Sequence, residues 1–281
     1  MFSYRHGFHA GNHADVLKHL VLAQMLAYLT AKEAPLWFVD THAGAGAYSL
    51  ESDFARKKGE FRDGIGRLWE RNDLPAPLAE YLQQVRKSNP DGALRAYPGS
   101  PQIALQMLRK QDHLQLFELH TTESKLLQLH FAKAGRRVSV QASDGFAGLK
   151  SVLPPASRRG LVLLDPSYED KDDYRKVLAS LRDALERFAT GVYAVWYPLI
   201  QRQEAQDLPS QLKQLAQGDW LQVSLTVKAP AKDGLGLHGS GMFVLNPPWN
   251  LEATLQPVMP ALVRLLGQDR KATFKLQFKQ T

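Results

Sequence analysis

The sequence predicts an α/β protein: a mostly parallel, doubly wound sheet with a late antiparallel hairpin and an inserted helical subdomain. Three observations predict it. Short apolar runs alternate with stretches of helical periodicity along most of the chain. Several of the runs stop abruptly at an acid, as in Leu36–Asp40, Leu114–Glu118 and Gly160–Asp165. The alternation breaks once, over residues 50–95, where charge-rich helical sequence contains no strand candidate. Residues 1–49 and 96–281 are therefore assigned to the sheet domain and residues 50–95 to the insertion.

A chain of 281 residues suits one large domain, or one domain carrying an insertion. With 35 Lys and Arg against 28 Asp and Glu, its formal charge of +7 favours a polyanionic partner. The absence of cysteine excludes disulfides, thiolate nucleophiles and Cys-ligated metal. No signal-like apolar segment opens the chain and no run approaches bilayer length, so the expected setting is cytoplasmic, without a membrane partner.

The first stretch concentrates ionisable groups. Its order, His6-x-x-His9-x-x-x-His13, matches no metal-ligand spacing, and no metal is expected. From Ala14 the apolar residues Val16, Leu17, Leu20 and Val21 mark a helix. Lys18 and His19 sit in its early turns, where a ligand cleft and a solvated flank both account for them. Strand Leu36–Asp40 then runs into Thr41-His42-Ala43-Gly44-Ala45-Gly46, the first βα turn of a nucleotide-binding fold, where glycines let backbone approach a ligand. The loop is not GxGxxG and no Lys-Ser/Thr follows it, so it suits a cofactor without phosphates.

The insertion predicts helices near 62–70 and 76–88, serving as RNA contacts or as a mere lid. Tyr97-Pro98-Gly99-Ser100-Pro101 is a turn into a helix over 101–110, with Ser100 the expected N-cap. Strand Leu114–Glu118 places a second acid where ribose hydroxyls commonly bind. After a helix over 122–134 come strand Val138–Gln141 and Asp144-Gly145, which opens a further helix. Each of these acids is also a potential cap. Three in series at strand ends argue for a nucleoside cleft.

Gly160–Leu164 reads as a strand buried on both faces, ending at Asp165-Pro166-Ser167-Tyr168. Pro166 removes a backbone donor and stops the ladder. An acceptor beside an exposed aromatic suits a flat base with an exocyclic amine, the ring stacked on Tyr168 and its N–H groups on Asp165 and the Pro166 carbonyl. A helix over 172–188, strand Tyr193–Pro198, a helix over 203–216, strands Trp220–Val227 and Ser240–Asn246, and an edge strand near Thr273–Leu276 complete the pattern.

This order of signals resembles the Rossmann-like class I methyltransferases, and within them the adenine-N6 type. The loop Asp40–Gly46, Glu118, Asp144-Gly145 and Asp165-Pro166-Ser167-Tyr168 carry the likeness, with Ser167 where that type has a second proline. Asn246-Pro247-Pro248-Trp249 spells the tetrapeptide better, but it ends the late hairpin instead of facing the glycine loop. Placement favours Asp165. The N-terminal run from Ser3 to His19, the glycine loop and Tyr97–Pro101 narrow the likeness to the RlmJ family of 23S ribosomal RNA adenine-N6 methyltransferases. The resemblance implies S-adenosylmethionine as cofactor, held by His19, His42, Ser100, Glu118, Asp144 and Gly145, with Lys18 and Gly44 beside them. It further implies Asp165 as proton acceptor, Tyr4, Pro166 and Tyr168 as substrate contacts, and 23S ribosomal RNA, protein-free or early in assembly, as partner, without an obligate protein partner. The competing readings are the same chemistry on DNA, a non-catalytic RNA-binding module, and a metal hydrolase built on His6, His9, His13 and His42.

Overall fold

The computed structural model describes residues 6–280. Helix α1 (His13–Thr30) starts where the Asn12 side chain accepts the backbone N–H groups of Ala14 and Asp15. It leads to the central strand β1 (Trp37–Asp40) and the short β2 (Ala47–Ser49). The stretch 50–95 follows as α2 (Asp53–Lys58), a 3₁₀ turn (Glu60–Asp63), α3 (Gly66–Trp69) and α4 (Ala76–Lys87). Strand β3 (Ala96–Pro98) pairs antiparallel with β2, so the two ends of this stretch meet. The chain then alternates through α5 (Ser100–Met107), β4 (His113–Phe117), α6 (Thr121–Phe131), β5 (Val138–Gln141), α7 (Gly145–Val152) and β6 (Gly160–Leu164). Next come α8 (Asp172–Arg187), β7 (Val192–Leu199), α9 (Gln203–Leu215), β8 (Trp220–Thr226) and β9 (Gly239–Leu245). Helices α10 (Leu251–Leu255) and α11 (Met259–Leu266) and the edge strand β10 (Thr273–Lys279) end it.

The eight-stranded sheet has the order β10-β8-β9-β7-β6-β1-β4-β5. Strands β5, β4, β1, β6 and β7 are parallel, with Trp37 of β1 beside His113 on one side and Gly160 on the other. The hairpin prediction holds with a twist in its topology. Strand β9 inserts between β7 and β8 and runs antiparallel to both. In β6 the alternate side chains divide between two cores: Leu161 and Leu163 join the cluster under α1, α4 and α5, whereas Val162 and Leu164 join the one under α8 and α9. That division is what a doubly wound sheet requires.

Helix α1 is buried almost all round, not only along one apolar face. Residues 65–85 pack against it: Ile65, Leu68, Tyr81, Leu82 and Val85 share its core cluster, and the Ile65 N–H donates to the Gly11 carbonyl at 2.8 Å. The expected helix over 62–70 is interrupted at Gly64, and the expected 101–110 helix ends at Met107. Strands of three residues, such as β2, leave too short a pattern to read.

Candidate active site

The strand order reverses around β1, whose neighbours β4 and β6 lead away in opposite directions, and ligands bind open α/β sheets above such a switch point. A cleft of about 360 Å³ lies there, over the carboxyl ends of β1, β4, β6 and β7 and the N-terminus of α7. Among the residues that line it are Lys18, His19, His42, Gly44, Ser100, Glu118, Asp144, Gly145, Asp165, Pro166 and Tyr168. The sequence-derived candidates thus meet in one place, except Tyr4, which falls outside the described residues.

One end of the cleft is built by β1, β4 and α7. Glu118 Oε2 accepts the Gly44 N–H at 2.8 Å and Oε1 accepts the His120 N–H at 2.7 Å, so the acid fastens the glycine loop to the end of β4. Gly44 is left-handed (φ 59°), and a Cβ there would lie 2.1 Å from the Tyr48 hydroxyl. Burial pushes the Glu118 carboxyl up, against the two N–H bonds it accepts. Asp144 caps α7 by accepting the Phe146 N–H at 2.9 Å. Gly145 lets α7 meet the loop after β1, because a Cβ would stand 1.9 Å from the Thr41 carbonyl oxygen. His42 bonds Thr41 Oγ1 through Nδ1 at 2.7 Å and lies edge-on to Phe146; burial takes its pKa down to about 3, leaving a neutral imidazole. His19 Nδ1 bonds the Tyr97 hydroxyl at 2.7 Å. Its other nitrogen, Nε2, is buried without a partner, and burial lowers this imidazole too to about 3.

The other end centres on Asp165. Lys18 Nζ donates to Asp165 Oδ2 at 2.6 Å and stands 2.9 Å from Asp15 Oδ1. Asp15 Oδ2 in turn accepts from the Gly11 N–H and pairs with His6 Nε2, both at 2.9 Å. Burial raises the Asp165 carboxyl while the Lys18 ammonium pulls it back; the balance lies above the ordinary carboxylate value. For Asp15 burial also pushes upward, but His6 and Lys18 prevail and hold it well below.

Three expectations need correction. Ser100 is not an N-cap: Gly99 precedes the helix, and Ser100 Oγ donates instead to Asp40 Oδ2 at 2.6 Å. Asp40 is itself buried, which raises it to about 7 against the Ser100 bond. Lys18 is no solvated flank. It is 4% exposed, with its ammonium between two carboxylates. Tyr168 is not an exposed stacking platform. Its left-handed backbone (φ 54°) turns the ring into the core against Tyr174 and Trp196, and its hydroxyl donates to the Trp196 carbonyl at 2.8 Å. Asp15 and Trp196 also line the cleft and were not singled out, and His6, named only in the metal reading, lines it too. An acid and a lysine three apart on a helix were the available signal for Asp15.

Asn246 is excluded from the cleft: its Nδ2 donates to the carbonyls of Ala189 and Gly191 at 2.8 and 2.7 Å, a hairpin-end turn.

Such a sheet, with acids at successive strand ends around one cleft, defines a Rossmann-like class I methyltransferase. A family model described as Ribosomal RNA large subunit methyltransferase D, RlmJ, matches residues 33–279. The chain belongs to this RlmJ family. It is 48% identical over 262 residues to Ribosomal RNA large subunit methyltransferase J of Escherichia coli (strain K12), covering 93% of each chain. It is 45% identical over 279 residues to the protein of that name from Haemophilus influenzae (strain ATCC 51907 / DSM 11121 / KW20 / Rd), covering 99% of each. A crystal structure from Legionella pneumophila str. Philadelphia 1 superposes with a TM-score of 0.88 at 33% identity, over 96% of this chain and 98% of that one.

Proposed function

We propose that this protein methylates N6 of a specific adenosine in 23S ribosomal RNA, with S-adenosylmethionine as methyl donor. The observation that carries this reading is the Asp165 carboxylate, backed by the Lys18 ammonium, sharing one cleft with the Gly44–Glu118 clamp.

The donor set fits the cofactor. Glu118 spends two bonds on backbone N–H groups, which leaves lone pairs for ribose hydroxyls. His19 Nε2 is a buried polar atom lacking a partner, as a ligand-facing group would be before its ligand arrives. His42, Gly44, Ser100, Asp144 and Gly145 complete the lining of that end. When bound there, the cofactor supplies an electrophilic sulfonium methyl.

The protein's own contribution is to place and deprotonate the amine. The N6 lone pair of adenine is delocalised into the ring, so the amine is a poor nucleophile. Asp165 and the Pro166 carbonyl accept the N6–H bonds and favour a pyramidal nitrogen. Positioning of this kind supplies about 7–11 kcal/mol in favourable cases. The nitrogen becomes acidic as it gains the methyl, and Asp165 takes the surplus proton. Lys18 keeps Asp165 ionised in a buried site where burial alone would neutralise it. Tyr168, fixed by its bond to the Trp196 carbonyl, forms a rigid wall for the base. The target must leave its stack to reach this cleft. The net positive charge then gives salt-sensitive affinity for RNA.

The cytoplasm is the setting we infer, and no helix among the described residues is long and apolar enough to cross a membrane. The test is transfer of labelled methyl from S-adenosylmethionine to total RNA of cells lacking the protein, digested to nucleosides. Label in N6-methyladenosine, lost in Asp165→Ala, is expected. Label in any other nucleoside overturns the proposal.

A further inference from the structure

Beside the cleft runs a second, more open groove of about 560 Å³. Pro198 and Ile200 line both, so the groove begins where the cleft ends. Its other walls come from the start of α9 and the residues just before it, and from the β8–β9 loop, whose Leu237 also lines the cleft. Gln201 borders it from the loop before α9 and Gln206 from the first turn of α9, and Pro230 and His238 border it from the β8–β9 loop. None of its lining residues is an acid. Burial and the nearby Lys228 lower the His238 imidazole below its ordinary value, so it presents a neutral ring near pH 7. Lys228 and Lys232 are exposed on the same loop, with Asp233 beside them.

We propose that this groove is a subsite for the nucleotide adjacent to the target adenosine in the same RNA strand. The inference rests on the adenosine-N6 reading of the cleft. A strand that delivers one base into the cleft can carry its neighbour across the shared rim of Pro198 and Ile200. The groove offers that neighbour what a single-stranded nucleotide uses: a flat ring and a proline face for the base, and ammonium groups within the same loop for the phosphate. Two amide side chains, each with donor and acceptor, can read a base edge without electrostatic bias. No carboxylate lines the groove itself, so its walls add no direct repulsion towards a phosphodiester.

The experiment is competition against methyl transfer to RNA from cells lacking the protein. The competitors are adenosine monophosphate and the dinucleotides that place each of the four bases on the 5′ or the 3′ side of adenosine. The subsite predicts that one of the two series inhibits about tenfold better than adenosine monophosphate. That gain disappears in Gln206→Ala and His238→Ala, while inhibition by adenosine monophosphate and the affinity for S-adenosylmethionine stay unchanged. Equal potency of the mononucleotide and every dinucleotide in the wild type, including no inhibition by any, overturns the subsite. So does a dinucleotide advantage that survives both variants. A wild type that transfers methyl but shows no dinucleotide advantage refutes the subsite alone, whereas a wild type that transfers none refutes the function beneath it.

Discussion

Lys18 and Asp165, 147 positions apart, meet at 2.6 Å over the end of the sheet, and the same ammonium holds Asp15 one turn earlier on its own helix. A lysine 4% exposed and shared between the buried Asp15 and the largely buried Asp165 is a costly arrangement unless each charge is answered. Here each is, and the arrangement fixes a charged acceptor beside the turn that ends β6.

Asp165→Ala should lower the rate of methyl transfer by about 10²–10⁴-fold, the range that a positioned proton acceptor contributes. Calorimetry with S-adenosylmethionine should show its binding preserved, since Asp165 lies at the opposite end of the cleft from Glu118. A variant with wild-type turnover would remove Asp165 from the mechanism.

The acid limb of turnover against pH should lie above the ordinary carboxylate range, because burial raises Asp165. Activity then requires the ionised form and falls as pH drops through that raised value. Lys18→Met takes away the ammonium that opposes burial, so the limb should move to higher pH by about 1–3 units. A limb that stays in place on this substitution would dissociate Lys18 from the acceptor.

Glu118→Ala removes the acceptor of the Gly44 and His120 N–H bonds and the lone pairs assigned to ribose. The dissociation constant for S-adenosylmethionine should rise about 10–100-fold, as loss of a charge-assisted hydrogen bond implies. An unchanged constant by calorimetry would rule out this assignment.

Asn246→Ala should leave methyl transfer intact and reduce stability by about 1–3 kcal/mol in urea unfolding. The variant loses both bonds to the Ala189 and Gly191 carbonyls, and alanine fits poorly at a φ of 52°. Loss of transfer in the folded variant would instead restore Asn246-Pro247-Pro248-Trp249 as the catalytic tetrapeptide.

Acid should destabilise the fold between about pH 6.5 and 3. His42 and His19 titrate near 3 when folded and His13 near 4, against an ordinary 6.5, so the unfolded chain binds protons that the folded one refuses. Their contribution is complete above 6.5 and lost as pH falls towards the folded values. Asp40, raised to about 7, acts with the opposite sign over part of this window and softens the slope. Thermal melts of His42→Asn should show a shallower fall in Tm with acidification than wild type; an equal fall would mean that His42 is protonated in the folded state.

The strands and the acids that end them were legible because they are local. Apolar runs with abrupt polar ends need no partner to be recognised, and Asp40, Glu118 and Asp165 each stand at such an end. What escaped was contact between distant segments. Ser100 has the local chemistry of a cap, but its hydroxyl goes to Asp40, sixty positions earlier. Tyr168 follows a proline turn and reads as a rim aromatic, but a left-handed backbone sends it inward. Lys18 could be placed near a cleft by helical phase, whereas its two carboxylate partners depend on how α1 crosses the sheet.

The insertion of β9 between β7 and β8 has a consequence for the order in which the chain is made. Strand β8 leaves the ribosome before β9, the strand that must separate it from β7, has been synthesised. For that interval the edge of β7 stands open, and β8 has no permanent neighbour. Both seats are filled only when Gly239–Leu245 arrives, so a chain stopped short of Leu245 forfeits the seating of β8 along with β9. The far side of the sheet, including the Trp196 end of the cleft, is thus completed by one of the last segments to emerge.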